Sequence, residues 1–418
     1  MKKSSGALAG IRVLDLGRVL AAPWGAQILA DMGADVIKVE RPGTGDDARK
    51  VGPETVVDAN GKRTLNAAMF LASNRNKRSL ALDFSNPEGR RLLMELVGMS
   101  DVVVENFLPG VLARHGLGYE DMKQANPRII VATLTGYGQT GPYRDRRGYD
   151  MVFQAESGMM SVTGIEDGKP GGGPMKTGPT LVDICAGVYL SSAVLGALLH
   201  RERTGEGQKV DVTLMDTALV MQAQVIHSYL LSGVQPKRLG NRGLAGHPAC
   251  VYKCKDGSVF LAVANQKQYR ELCLILGLPD LVDDSRFQTP DDRLQNREKF
   301  DELFEPAISS LEAQAFSERL TGAGIPNAVV KEYKDVFADP HIIASGIVKT
   351  FPHAEAASGE VKVIGSPINF SSTPVDYRLT PPILGEHTTD ILHNMLGVDD
   401  AAIAKLEAAG IISKPATG

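Results

Sequence analysis

Apolar and polar positions along the chain alternate between two periods, and this alternation indicates an α/β protein. Residues 10–16 and 34–40 are short apolar runs rich in β-branched residues, which predict strands, and the segment between them has helical spacing. A strand, a helix and a second strand within about thirty residues are typical of a parallel sheet. Counting this unit, four such alternations before residue 165 predict a doubly wound sheet.

The second half of the chain predicts a smaller unit of mixed structure. Residues 228–248 are polar and rich in turn-forming residues, which indicates a linker. Residues 250–264 predict a β-hairpin, because an Asp-Gly pair at its centre is a turn signature. Helical patterns follow to about residue 324, and from about residue 339 we expect short strands and then a helical tail.

Composition places the chain among ordinary globular proteins. Its 418 residues favour two domains, and 43% apolar with 22% charged residues excludes wholesale disorder. The net charge of −4 gives no support to a nucleic-acid partner or an anionic membrane surface. The longest apolar stretch, residues 188–199, is too short to cross a bilayer, and residues 1–10 lack the apolar core of a signal peptide. The four cysteines contain no CxxC pair, so we expect a reduced, cytoplasmic protein without a metal site.

One acidic residue stands out at the centre of the chain. Asp183 follows a loop rich in glycine and proline, residues 171–179, and precedes the apolar segment 184–199, which predicts a buried helix. An Asp in this place commonly caps the helix by accepting a backbone N–H. It can also serve as a carboxylate nucleophile held at the end of a rigid helix. Spacing alone leaves both interpretations open.

Two further segments are candidates for binding an anion. Arg75, Lys77 and Arg78 cluster before a predicted strand, where they form either a solvated basic loop or a grip for phosphate. Asn106 ends another predicted strand, and ligands of open α/β sheets bind outside the carboxyl ends of strands. The first strand is not followed by GxGxxG, and the chain has no GxSxG, P-loop or HExxH motif. These patterns predict an α/β enzyme with an anionic ligand.

Several motifs, in a fixed order over essentially the whole chain, carry a resemblance to a known family. They are GIRVLDLGRVLAAPWGAQILADMGADVIKVERPGTGDDAR, NRNKRSLALD, DVVVENFLPGVLARHGLGYEDM, TGYGQTGPYRDRRGYDMVFQAESGMMSVTG, the Asp183 segment with RTGEGQKVDVTLMD, and PPILGEHT. Together they resemble the class III coenzyme A transferases, the CaiB/BaiF family, whose members include formyl-CoA transferases. The resemblance implies a large Rossmann-like α/β domain with a parallel sheet and a smaller α+β domain, in an interlocked homodimer.

The same resemblance implies the domain boundaries. Residues 1–205 and 335–418 would form the large, discontinuous CoA-binding domain. Residues 206–227 would form a linker helix, and residues 228–334 the small domain with its linkers.

The chemistry implied by the resemblance is transfer of CoA from an acyl-CoA donor to a carboxylic acid acceptor. In the family the acid of the motif LVDICAG is the nucleophile, and here it is Asp183. Its carboxylate attacks the thioester and expels CoA thiolate, and the groups are exchanged through an aspartyl mixed anhydride and an aspartyl-CoA thioester. Because an Asp of ordinary pKa is ionised at neutral pH, no base is needed. CoA is then a substrate, and no permanently bound cofactor or metal is expected.

The CoA contacts of the family carry over to positions in the matching motifs. They are Leu20, Ala21, Arg41, Asn74, Arg75, Asn76, Lys77, Asn106, Phe107, Leu108, Arg114, Arg147, Gly148, Tyr149 and Asp150. Arg41, Lys77 and Arg114 are the cations that we expect on the CoA phosphates. Arg242 and His247, in the predicted linker, are either candidates for a substrate carboxylate or ordinary surface residues.

Departures from the family pattern reduce the number of candidate functions. Leu20 stands where formyl-CoA:oxalate members have Gln, which weighs against oxalate, and the layout is closest to members that use dicarboxylates such as succinate. Racemases of 2-methylacyl-CoA in the same superfamily have a His in a GHD motif, where this chain has Tyr149, and a neutral phenol is a poor base. A racemase or epimerase is therefore the second hypothesis. A non-catalytic CoA-binding protein is the third hypothesis. Such a protein would not need Asp183, which is present in this chain.

Overall fold

The computed structural model describes residues 5–243 and 246–415 as alternating strands and helices. The strands, in chain order, are β1 (Arg12–Asp15), β2 (Asp35–Glu40), β3 (Thr55–Val57), β4 (Arg63–Ala67), β5 (Lys77–Ala81), β6 (Val102–Glu105), β7 (Ile130–Thr135), β8 (Gly164–Ile165), β9 (Gly173–Pro174), β10 (Lys209–Thr213), β11 (Ala249–Lys253), β12 (Ser258–Ala262), β13 (Asn327–Val329), β14 (Val348–Pro352) and β15 (Glu360–Ile364).

Helices connect most of these strands. In chain order they are α1 (Ala21–Asp31), α2 (Ala68–Ser73), α3 (Pro87–Gly98), α4 (Val111–Arg114), α5 (Tyr119–Ala125), α6 (Asp150–Glu156), α7 (Met159–Val162), α8 (Leu181–Thr204), α9 (Leu214–Val220), α10 (Ala223–Ser232), α11 (Gln266–Leu276), α12 (Pro290–Gln295), α13 (Arg297–Ser309), α14 (Ala313–Gly322), α15 (Tyr333–Ala338), α16 (Pro340–Ser345), α17 (Thr388–Leu396) and α18 (Asp400–Ala408).

The main sheet has six strands in the order β10-β7-β6-β1-β2-β5. Every neighbouring pair is parallel. Numbered along the chain, this is the 3-2-1-4-5-6 order of a doubly wound Rossmann sheet. The predicted α/β fold is thus confirmed, although the chain lacks the dinucleotide fingerprint. The order reverses between β1 and β6, and such a switch point is where open sheets bind ligands.

Alternate side chains of the central strands pack into two hydrophobic cores, one on each face of the sheet. Val13 of β1 packs with α1 and α8, whereas its neighbour Leu14 packs with α3, α17 and α18. Because both faces are covered, the central strands β6 and β7 are mostly apolar, as is usual for parallel sheets. The last two helices of the chain therefore cover the sheet that the N-terminal strands build.

Helix α8 is longer than the predicted 184–199 segment, since it spans 24 residues from Leu181 to Thr204. It is the one helix among the described residues that is long and apolar enough to cross a membrane, a test that core helices also pass. Val182, Ala186, Leu190 and Val194 of α8 are completely buried in the core shared with α1. The contacts are those of a core helix.

The chain divides into two compact units. The first comprises Met1–Met159, Thr177–Leu231 and Gly346–Gly418, and the second comprises Met160–Lys176 and Ser232–Ser345. The second unit contains the antiparallel sheet β11-β12-β13, whose first two strands are the predicted hairpin. Its core is rich in aromatic residues, including stacked Phe300 and Phe304.

The division differs from the expected domain boundaries in several places. Residues 160–176 lie in the second unit, because Arg242 forms an ion pair with Glu166 at 2.7 Å and the Gly240 N–H donates to the Gly164 carbonyl. Residues 206–227 are not a single linker helix, since they contain the sheet strand β10 before α9 and α10 begin. Residues 335–345 also belong to the second unit.

Candidate active site

A cavity of about 590 Å³ opens at the carboxyl end of the main sheet, within the first unit. Its walls come from the segments that follow β1, β6 and β7, from the loop before α6, and from the first turn of α8. The lining residues are Arg18, Val19, Leu20, Ala21, Asp47, Asn106, Phe107, Leu108, Val111, Leu134, Thr135, Gly136, Arg146, Arg147, Gly148, Tyr149, Asp183 and Leu214. The cavity thus lies at the switch point between β1 and β6.

Close packing of α1 against α8 brings Asp183 to this cavity. A Cβ atom added to Gly25 of α1 would lie 2.8 Å from the Gly187 carbonyl oxygen, and one added to Gly187 would lie 2.6 Å from the Ala21 carbonyl oxygen. Only glycine allows two helix backbones to approach so closely. The contact sets the first turn of α8, with Asp183, beside the start of α1.

Another part of the cavity wall is a strained turn after β1. Val19 has a φ of 67°, which a β-branched residue rarely adopts. Its N–H donates to Asp46 at 2.9 Å, and Lys38 in turn holds Asp46 at 2.8 Å. The side chain of Asn106 accepts from the Arg18 N–H and donates to the Arg18 carbonyl, both at 2.8 Å. Strain maintained by surrounding bonds in this way is typical of functional sites.

The Asp183 carboxylate has no hydrogen-bond or ion-pair partner among the residues that the structure describes. Burial, with a smaller contribution from the nearby Asp150 carboxylate, raises the pKa of Asp183 to about 7. The sequence-based expectation of an ordinary pKa is therefore wrong. Near neutral pH both the protonated and the ionised forms of Asp183 are populated.

The capping interpretation of Asp183 is also wrong. Thr180 occupies the N-cap position of α8, and Asp183 lies in the first helical turn. Capping is instead performed by Asp150, whose Oδ2 accepts from the Val182 N–H at 2.8 Å and the Asp183 N–H at 3.1 Å. The Asp150 side chain, expected on CoA, is buried beside the Asp183 backbone and does not line the cavity.

Nine of the residues predicted from the sequence line this one cavity. They are Leu20, Ala21, Asn106, Phe107, Leu108, Arg147, Gly148, Tyr149 and Asp183. Arg41 lines an adjacent cavity of about 260 Å³ that shares Arg18, Phe107 and Val111 with the first. Arg114 is exposed at the end of α4 and lines neither cavity.

The predicted contacts at residues 74–77 are buried and lie outside both cavities. The Lys77 Nζ donates to Asp15 at 2.7 Å and to the Asn74 side chain at 3.0 Å, and burial lowers the pKa of Lys77 to about 8. Arg75 pairs with Asp31, which also accepts from Asn76 at 2.9 Å. These side chains join β5 to β1 and α1, so in this structure their charges are already neutralised.

Sequence reasoning missed several residues of the cavity wall. They are Arg18, Val19, Asp47, Val111, Leu134, Thr135, Gly136, Arg146 and Leu214. The end of β7 could have been found, because residues that follow parallel strands meet at one edge.

Of the arginines that line the cavity, Arg18 pairs with Asp47 and Arg146 with Glu156, whereas Arg147 has no ion pair among the described residues. Arg147 is therefore the cation most available to a bound anion.

Arg242 and His247 belong to a polar cluster in the second unit. Asp301 accepts from Arg242 at 2.7 Å, from His247 at 3.0 Å and from the Tyr252 hydroxyl at 3.1 Å. With Cys250, His247 and Asp301 form the one group in the described part of the chain whose ligand atoms, within 4.8 Å, could hold a metal ion. The Arg242 guanidinium already neutralises Asp301, which disfavours a second cation there.

Comparison with known proteins identifies the family. The sequence model of CoA-transferase family III matches residues 8–388. The chain belongs to CoA-transferase family III. Among its relatives, the succinyl-CoA:glutarate CoA-transferase of Mus musculus is 38% identical over 98% of this chain and 91% of its own length. The succinate–glutarate CoA-transferase of Agrobacterium fabrum is 41% identical over 94% of this chain and 97% of its own.

A solved structure agrees with this assignment. A CaiB/BaiF family protein from Brucella suis has a TM-score of 0.84 and 38% identity, covering 93% of this chain and 99% of that one. The expected class III CoA-transferase fold and enzyme class are thus confirmed. The racemase and the non-catalytic protein are set aside, and acyl-CoA thioesters are the substrates of this family III enzyme.

The helix contact that positions Asp183 can be tested with two glycine substitutions. We expect Gly187→Ala to force α1 and α8 apart, to lower stability by about 1–3 kcal/mol and to reduce CoA transfer. Gly98→Ala, at the exposed end of α3, is the matched control, because its new methyl group meets no atom closer than 4.0 Å. Urea denaturation and initial rates would measure both effects. Equal stability and rates for the two variants would contradict this role of the helix contact.

Proposed function

We propose that this enzyme transfers CoA from succinyl-CoA to a dicarboxylic acid of similar size, such as glutarate, with Asp183 as the nucleophile. The observation that carries the proposal is a partner-free carboxylate in the switch-point cavity of a family III CoA-transferase. The choice of acids rests on the relatives from Mus musculus and Agrobacterium fabrum, whose names combine succinate with glutarate.

The first half of the reaction forms two covalent intermediates. The Asp183 carboxylate attacks the thioester carbonyl, so that a C–O bond forms, the C–S bond breaks and CoA thiolate leaves. The thiolate then attacks the Asp183 carbonyl of the mixed anhydride and releases the donor acid as its carboxylate. Asp183 now carries CoA as a thioester.

The second half reverses these steps with the acceptor. The acceptor carboxylate attacks the aspartyl-CoA thioester and again expels thiolate, which leaves a second mixed anhydride. The thiolate attacks the acceptor's acyl carbon, forms the new CoA ester and restores the Asp183 carboxylate. Charges and atoms balance at each step without ATP or an external base.

Backbone amides at the start of α1 are suited to the oxyanions of these steps. Leu20 precedes the helix and Ala21 begins it, and both line the cavity with Asp183. The first N–H groups of a helix have no intrahelical acceptor and carry the positive end of its dipole. Donors fixed in this way stabilise a developing negative charge without rearrangement.

Arginines of the two adjoining cavities are suited to the anionic part of CoA. Arg147 is free of ion pairs within the described residues, and Arg41 lines the adjacent cavity. We therefore assign the phosphates to Arg41 and Arg147. The buried Lys77 is a poor candidate, because its ammonium group is held by Asp15.

We also propose that the enzyme is a homodimer in a reducing cytoplasm. Support for the dimer comes from the mostly apolar helix α10, which has no buried residue and whose Leu231 is 90% exposed. Helix α8 also exposes apolar side chains, Tyr189 and Leu199 among them. Apolar surface of this kind marks association sites. The four cysteines are free, and three of them are buried, which suits a reducing compartment.

Light scattering tests the assembly. We expect twice the chain mass of 44.7 kDa over a range of protein concentrations. A mass of one chain at micromolar concentration would rule out the homodimer.

Product analysis tests the activity. Purified enzyme would be incubated with succinyl-CoA and glutarate, other dicarboxylates, oxalate or butyrate, and new CoA esters measured by mass spectrometry. We expect glutarate and dicarboxylates of similar size, but not oxalate or butyrate, to accept CoA, and Asp183→Ala to lower the rate by about 10³-fold or more. Glu202→Ala, an exposed change at the other end of α8, should leave the rate unchanged.

Two outcomes would contradict this assignment. Transfer that persists in Asp183→Ala would exclude Asp183 as the nucleophile. If no acid accepts CoA but a chiral 2-methylacyl-CoA exchanges its α-proton with deuterated water, the enzyme is a racemase.

A further inference from the structure

A chain of hydrogen bonds holds both ends of the loop that leads to Asp183. At one end, the Thr177 N–H donates to Oε1 of Gln154 at 2.9 Å. The Gln154 side-chain amide donates to Oδ1 of Asp150. At the other end, Oδ2 of Asp150 accepts from the Val182 and Asp183 N–H groups. Asp150 and Gln154 are 3% and 1% exposed, so these bonds are shielded from water.

We propose that Asp150 is a positioning residue that holds the backbone of the Asp183 turn and whose negative charge favours the acylated form of the nucleophile, an inference that rests on the proposed function. Both Asp150 oxygens are occupied by these bonds, so Asp150 acts through Asp183 and does not touch the substrate. A contact with CoA would not place the Asp150 carboxylate in the core, hydrogen-bonded to the backbone of the proposed nucleophile.

The physical reason is repulsion between two neighbouring carboxylates. Before the reaction, ionised Asp183 and Asp150 oppose each other in a poorly solvated region, and this opposition helps to raise the pKa of Asp183. When Asp183 attacks the thioester, its charge departs with the thiolate and the Asp183 carboxyl becomes part of a neutral anhydride. Formation of the covalent intermediate therefore removes the repulsion.

Other charged and titratable groups near Asp183 do not duplicate this role. Those that line the cavity are Arg18, Asp47, Arg146, Arg147 and Tyr149, and Cys185 follows on the same helix. Arg18 and Asp47 neutralise each other, and Arg146 pairs with Glu156. Asp150 is the charged group that, together with burial, raises the pKa of Asp183.

The test is the pH dependence of kcat/KM for the acyl-CoA donor, which reports groups of the free enzyme. In wild type the rate should rise with pH through about 7, because the attacking form of Asp183 is the ionised one and its pKa is raised. In Asp150→Asn the repulsion is lost, so the midpoint should move to lower pH by about one unit, a tenfold change in the ionisation constant. Asp150→Ala should in addition lower the plateau, since the N–H groups lose their acceptor.

A second variant distinguishes the loss of the Asp150 charge from disruption of its hydrogen bonds. Asp150→Asn alone replaces an acceptor of the Gln154 amide by a donor. In combination with Gln154→Glu, the amide introduced at position 150 can donate to the carboxylate introduced at position 154. That carboxylate still accepts from the Thr177 N–H, and the negative charge now lies one side chain further from Asp183. We expect this double variant to have a higher plateau of kcat/KM than Asp150→Ala, because the N–H groups keep an acceptor, and a midpoint between those of wild type and Asp150→Asn.

The outcomes separate this inference from the proposed function. If both variants keep the wild-type midpoint and lose only rate, Asp150 is a helix cap and the electrostatic role is wrong. If wild type itself forms no new CoA ester, the proposed function fails first. Transfer by wild type with an unmoved midpoint in the variants overturns this inference alone.

Discussion

The backbone contact between α1 and α8 determines where Asp183, the proposed nucleophile, lies. Gly25 and Gly187 let the two helices meet without side chains between them, and both helices pack on the same face of the sheet. The start of α1 and the first turn of α8 consequently share one cavity at the switch point. In this cavity α1 presents its first amides and α8 presents Asp183. The position of Asp183 is thus a consequence of core packing.

Asp183 shows how a functional group can oppose the stability of the fold. A carboxyl group whose folded-state pKa is raised stabilises the fold fully below its unfolded pKa, near 4, and loses that contribution as pH rises through about 7. At alkaline pH the ionised, partly buried Asp183 near Asp150 therefore lowers the stability of the folded state. Groups held in this state are common at active sites, where reactivity is gained at the expense of stability.

Local patterns in the sequence predicted the elements well where one physical cause dominated. The β-branched runs became the central parallel strands. The Asp-Gly turn joined β11 to β12. Asp183 was found because a lone acid between a glycine-rich loop and an apolar helix is unusual, and the family resemblance then gave it a role.

Partners distant in sequence could not be inferred in the same way. Lys77 and Arg75 looked like phosphate ligands because their acceptors, Asp15 and Asp31, lie more than forty positions away in the chain. The role of Asp150 was hidden for the same reason, since it caps a helix that begins some thirty residues later. The pKa of Asp183 depends on burial and on that neighbour, and neither is visible from composition or spacing.

Chemical trapping of the nucleophile tests the central claim most directly. The enzyme would be mixed with succinyl-CoA, treated at once with borohydride and digested, and the peptide that contains Asp183 would be analysed by mass spectrometry. Reduction of an aspartyl-CoA thioester releases CoA and converts Asp to homoserine, so we predict homoserine at position 183 only when succinyl-CoA is present. Wild-type enzyme that transfers CoA but retains unmodified Asp183, or is modified at another carboxylate, would contradict this account.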